Sequence, residues 1–123
     1  MPPPRPPAHP SIVPAQQAFH ADLVEEVAQA VATHKVVVVG VALLRAGTLA
    51  RQLLDGQKIP HHYLQYGSYL VGWRRRLALK IWVGWSTFPM IFINGTFIGG
   101  ASDLRKLHAA GELTKLLEGP RAA

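Results

Sequence analysis

Apolar residues over positions 16–34 recur as Phe19, Leu23, Val24, Val27, Ala28 and Val31, the three- and four-residue spacing of a helix with one apolar stripe. Asp22, Glu25 and Glu26 stand toward its start and His34-Lys35 at its end, matching the helix dipole. Val36-Val37-Val38-Val39 follows at once; four β-branched residues, apolar on both faces, predict a buried central strand. Gly40 to Arg45 reads as a connection and Ala46 to Leu54 as a second helix, ended by Asp55-Gly56. Ile59 to Tyr66 predicts a strand with Pro60 near its start, where a missing N–H is tolerated. Leu70 to Trp82 is helical in pattern. Met90–Asn94 and Thr96–Ile98 are short strands joined at Asn94-Gly95, a hairpin signal. Gly99-Gly100 closes the hairpin, Ser102 is placed as an N-cap with Asp103 in the first turn, and the helix stops at Gly111. Leu113, Leu116 and Leu117 define a last short helix before Gly119-Pro120.

The order α-β-α-β-α-β-β-α-α predicts an α/β domain: a four-stranded mixed sheet flanked by helices, the first two strands parallel and the last two antiparallel. That is the arrangement of a thioredoxin-like fold, here with an extra N-terminal helix. Seven of the ten prolines lie in residues 1–14, a composition that favours polyproline II and packs no core, so residues 1–15 are expected to form a flexible tail. The domain is placed at 16–118 and a C-terminal tail at 119–123.

Composition narrows the chemistry. The 123 residues are 49% apolar and 16% charged, enough apolar material for one core. None is cysteine, so the chain has no thiolate nucleophile of its own, no disulfide and no thiolate ligand for a metal or cluster. The longest uncharged stretch, Ile81 to Ser102, is broken by Pro89 and Asn94-Gly95 and is not expected to span a bilayer. The N-terminus has no apolar run of signal-peptide length, and a cytoplasmic location is expected.

Several motifs then fall in one order. Trp85-Ser86-Thr87-Phe88-Pro89-Met90-Ile91-Phe92-Ile93-Asn94-Gly95, followed by Phe97-Ile98-Gly99-Gly100, resembles the C-terminal half of a glutaredoxin. Trp85 just ahead of Thr87-Phe88-Pro89, the ending Ala110-Gly111-Glu112-Leu113 and the helix before the Val strand are similar to the monothiol branch. The resemblance covers roughly residues 17–118. It implies that Thr87-Phe88-Pro89 is the family's cis-proline turn, which offers the backbone of Phe88 to the cysteinyl part of glutathione. It implies that Gly100 to Asp103, with Ser102 between, receives the γ-glutamyl end at a helix N-terminus. It also places Arg76 where the family pairs an arginine with the glycyl carboxylate.

The same resemblance puts the nucleophilic cysteine's position at Leu44, the second cysteine's at Gly47 and a lysine's at Val41. Glutaredoxin chemistry needs a thiolate, and so does ligation of an iron–sulfur cluster. The implied protein is therefore redox-inactive by its own thiols and no thiol–disulfide oxidoreductase. It is expected to carry no cofactor and no cluster, and to keep a groove for glutathione or a thiol-bearing peptide.

Each site motif also has a plain architectural reading. The proline turn serves the sheet, Ser102-Asp103 caps a helix, and Arg76 is one of three consecutive arginines on a solvated face. Residues 35–106 hold ten Lys/Arg and two Asp/Glu, and segment 63–85 holds three tyrosines, three tryptophans, Arg74-Arg75-Arg76 and Lys80. As an alternative, this segment makes the chain a basic interaction or scaffold protein. A protein partner is expected there ahead of nucleic acid or a membrane surface. In the plain reading its aromatics pack the core. His61 and His62, adjacent on a strand, point to opposite faces and do not share a metal ion.

Overall fold

The computed structural model describes residues 3–4, 6–42, 44–68 and 73–120, with the side chains at positions 17, 67, 68, 74 and 75 left aside. The elements run α1 (Val13–Ala18), α2 (Ala21–Thr33), β1 (Val36–Ala42), α3 (Arg45–Gly56), β2 (His62–Ser68), α4 (Trp73–Val83), β3 (Met90–Ile93), β4 (Thr96–Gly99), α5 (Ala101–Ala109) and α6 (Glu112–Glu118). The sheet order is β2-β1-β3-β4, with β1 parallel to β2 and β3 antiparallel to both β1 and β4. This is the expected mixed sheet of the thioredoxin-like fold.

The valine run is the centre of the molecule. Val36 to Val39 are all but inaccessible, and each such side chain contributes about 1.5–3 kcal/mol over an exposed one. Their alternation builds two cores at once. Val37 and Val39 face Leu23, Val27 and Leu79 from α2 and α4, together with Met90 and Phe92. Val36 and Val38 face Ala50, Leu54, Leu104 and Leu113 from α3, α5 and α6, together with Ile91 and Ile93. A strand packed this way has no polar face, which is why its sequence shows no alternation.

Several boundaries differ from the pattern. The helix expected over 16–34 is two helices, because His20 adopts a left-handed backbone (φ 44°) between them. Residues 13–15, assigned to the tail, form the first turn of α1, where Pro14 is tolerated because its missing N–H would have had no helical partner. β1 runs on through Gly40 to Ala42, since Gly40 and Ala42 still pair with Gln65 and Ser68. β2 starts only at His62: the Ile59 N–H is taken by the Leu54 carbonyl at 2.9 Å, and Lys58 turns the chain with φ 56°. The expected start of the next helix at Leu70 lies outside the described residues.

The hairpin is as predicted, with positive φ at both Asn94 (49°) and Gly95 (81°). Asn94 does more than turn. Its buried side-chain amide donates to the carbonyls of Leu116, Leu117 and Gly119 at 2.7, 3.2 and 3.3 Å, so the hairpin tip caps the end of α6. Among the described residues no helix is long and apolar enough to cross a membrane.

Asn94→Ala removes these donors from the part-buried carbonyls at the end of α6, at an expected cost of about 2 kcal/mol in urea unfolding. Asn94→Gly, which accepts the left-handed backbone, is expected to cost about 1 kcal/mol less. Equal losses in the two variants would show that the backbone angle contributes nothing.

Candidate functional site

The sheet register brings the implied site segments to one end of the molecule. Val39 pairs with Met90 in the antiparallel β1–β3 ladder, so the chain before Met90 (Pro89, Phe88, Thr87) runs alongside the end of β1, which leads into Leu44. Ile91 pairs with Gly99, which brings the start of α5 to the other side of the same turn. The Phe88–Pro89 peptide is cis. Pro89 is buried, Phe88 is half-buried against the α2/α4 core, and Thr87 is exposed.

Two glycines make this packing possible. A Cβ on Gly100 would sit 3.4 Å from the Pro89 carbonyl oxygen, at the limit of ordinary contact. Gly99 has φ 105°, and a Cβ there would lie 2.7 Å from the Asp103 carboxyl carbon. The carboxylate lies close over the glycine backbone, and its Oδ2 accepts the Gly100 N–H at 2.9 Å. This corrects the expected capping. Gly100 is the N-cap of α5 and Asp103, at the third helical position, reaches back to it, while Ser102 is exposed and caps nothing. The cradle of Pro89, Gly99, Gly100 and Asp103 is thus a unit, with the positive end of α5 behind it.

Arg76 also departs from the solvated-face reading. It is 6% exposed, and its guanidinium donates to the Tyr66 carbonyl at 3.3 Å, tying α4 to β2. Tyr66 in turn donates its hydroxyl to Glu26 on α2. β2, to which Arg76 is tied, and β4, which leads into the Asp103 cradle, are the two edges of the sheet, three strand spacings or roughly 14 Å apart. Lys80 places its Nζ 5.8 Å from the centre of the Phe88 ring, a cation–π contact that spacing alone does not disclose.

Leu44, at the cysteine position the resemblance implies, is the N-cap of α3, and its carbonyl accepts the Gly47 N–H at 3.2 Å. A side chain there sits at the positive end of a 12-residue helix with no acid in its first turn. That environment lowers a thiol's pKa, and leucine makes no use of it. Gly47 and Val41 are buried. Next to them Tyr63 lies across Gly40, where a Cβ would come 2.8 Å from the phenolic oxygen, and Arg51 stacks over the Tyr63 ring at 4.1 Å.

The remaining candidates separate. His62 stacks face to face on His34 with centroids 4.1 Å apart, while the His61 Nδ1–H donates to the Ile59 carbonyl at 3.1 Å. No group of three or more metal-ligating side chains gathers among the described residues. The tryptophans do not pack the core: Trp73, Trp82 and Trp85 are all exposed, Trp85 with its edge against Phe97. Tyr69 lies outside the described residues.

No family model matches the chain. It is 38% identical over 88 residues to a glutaredoxin-like protein of Dictyostelium discoideum, the match covering 72% of each. The chain belongs to the glutaredoxin family. Over 69 residues it is 33% identical to the mitochondrial monothiol glutaredoxin-5 of Schizosaccharomyces pombe, a match covering 56% of this chain and 47% of that protein. The crystal structure of a buckwheat glutaredoxin–glutathione complex superposes with a TM-score of 0.71 at 22% identity, covering 82% of this chain and 92% of that one, which shows the shared fold. This glutaredoxin-like chain contains no cysteine.

Gly99→Ala forces a strained backbone and displaces Asp103, so it is expected to lower stability by about 2 kcal/mol in chemical unfolding. Ser102→Ala is expected to stay within about 0.5 kcal/mol of the parent. A loss of about 1 kcal/mol or more in Ser102→Ala would restore serine as the cap.

Proposed function

We propose that this glutaredoxin-like chain is redox-inactive by its own thiols and acts as a binding module for glutathione or a thiol-bearing γ-glutamyl peptide, held without a covalent bond. The observation that carries this reading is the cradle of Pro89, Gly99, Gly100 and Asp103. It keeps a helix N-terminus and a carboxylate together beside an exposed turn. The pair suits an α-amino acid group: backbone N–H groups for its carboxylate, Asp103 for its ammonium. Thr87, Phe88 and Pro89 supply the extended backbone along which a cysteinyl residue lies, and Gly100, Ser102 and Asp103 take the γ-glutamyl end. The buckwheat relative in complex with glutathione supports this assignment. Burial of Arg76 and its bond to Tyr66 favour a positioning role, holding α4 against β2, over a direct clamp on the glycyl carboxylate.

The reading includes no oxidoreductase step and no cluster, because both need a thiolate that the chain does not supply. An exchange step would begin with a thiolate attacking a disulfide sulfur, and Leu44 stands where the family resemblance puts that thiolate.

Titration of isotope-labelled protein with reduced glutathione tests the binding. Amide shifts are expected at 87–89 and 99–103 at millimolar ligand; if these residues stay still while the ligand is in excess, the proposal fails. Leu44→Cys tests the placement of the lost thiol. Incubated with oxidised glutathione, this variant is expected to form a mixed disulfide, seen as one glutathione adduct by mass spectrometry. Absence of the adduct from folded variant would remove Leu44 from the site.

A further inference from the structure

The outward face of α4 is unlike the rest of the surface. Trp73, Leu77, Ile81, Trp82 and Trp85 are 59%, 39%, 53%, 45% and 36% exposed, and they fall within one short window of chain. Trp73, Leu77 and Ile81 recur every four residues, so they form one ridge along a helix about 16 Å long. The inner side of the same helix is apolar too, through Ala78 and Leu79. The ridge continues past Ile81 into a shallow groove of about 650 Å³, lined by Ile12, Phe19 and the prolines at 6 and 7. Solitary exposed apolar residues are ordinary; a contiguous set with this many tryptophans marks a contact surface.

Charge says what the contact takes. The chain has no acidic residue between Asp55 and Asp103, and in that interval it carries Lys58, Arg74, Arg75, Arg76 and Lys80. α2, packed beside α4, carries Asp22, Glu25 and Glu26; Glu26 accepts the Tyr66 hydroxyl, and Glu25 lines a second groove beside Ile81 and Trp82. A second copy of the chain seated on this face by two-fold symmetry would set one cationic helix against another, which repels. An anionic partner is required. The apolar groups protrude from an outer helix, and a lipid interface accepts protruding tryptophan, leucine and isoleucine without any matching cavity.

We propose that α4 is a membrane-surface contact. Trp73, Leu77, Ile81 and Trp82 enter the headgroup boundary of an anionic bilayer, toward which the acid-free, cationic stretch of sequence that includes Lys80 is drawn. The helix lies on the membrane and does not cross it. This inference goes beyond ligand binding in the groove and stands independently of it, because it uses none of the residues assigned to glutathione.

The test is co-sedimentation of the full chain with vesicles of phosphatidylcholine alone and of phosphatidylcholine with about one third phosphatidylserine, read together with tryptophan emission. Binding to the anionic vesicles, with a blue shift of the emission, is expected; binding to the neutral ones is expected to be at least about tenfold weaker. Each basic group near such a surface contributes a factor of about five, so Arg74→Ala/Arg75→Ala is expected to weaken binding about twentyfold. Leu77→Ser/Ile81→Ser, both at exposed sites and checked for an unchanged melting curve, is expected to lose most of the binding and the blue shift. Three results overturn the proposal: no binding to anionic vesicles, binding that the serine variant leaves intact, or tighter binding to polyglutamate or an oligothymidylate than to the vesicles. The last would assign the face to an acidic protein or a single-stranded nucleic acid.

Discussion

The pairing of Val36–Val39 with Met90–Ile93 is the contact on which the rest of the structure depends. Both segments are buried on both faces, so one antiparallel ladder supplies side chains to two cores and holds helices on either side of the sheet. The same ladder places the candidate site. It sets the end of β1 against the proline turn, and through the β3–β4 hairpin it draws the start of α5 to that turn. A slip of one residue would turn every valine to the wrong core and separate the turn from the glycine pair. The position of the candidate site and the stability of the domain are therefore consequences of one register.

What this register brings together is a candidate site made largely of backbone. Pro89, Gly99 and Gly100 act through close approach and through the angles that they permit, and Asp103 holds them by a short-range hydrogen bond. Leu44, where the family resemblance implies a thiol, lies at a helix terminus between β1 and α3 and is not among the side chains of either core.

α4 shows how a helix apolar on both sides can be divided between interior and exterior. Its inner face meets β2 and α2 through Leu79, Ala78 and the buried guanidinium of Arg76. Its outer face carries tryptophan, leucine and isoleucine. Burying one arginine while exposing two tryptophans on the same helix is an inversion that hydrophobicity by itself would not predict. It follows from the Tyr66 carbonyl, which offers an acceptor to the buried Arg76 guanidinium.

Much of this was legible along the chain. The valine run, the Asn94-Gly95 hairpin, the strand order and the missing thiol all depend on local residue chemistry or on composition, so the sequence states them directly. The division of the first helix at His20 was not legible, because histidine carries no standing preference for a left-handed backbone as strong as that of glycine. Nor was the cap of α5, where a serine at a plausible position lost to Gly100 because the carboxylate three residues on could reach back to its N–H. The sequence alone determined the fold and the chemistry that the chain lacks. Only the tertiary structure decided which face of α4 turns outward and which polar atom receives Arg76, because those outcomes depend on neighbours brought in by the sheet from distant parts of the chain.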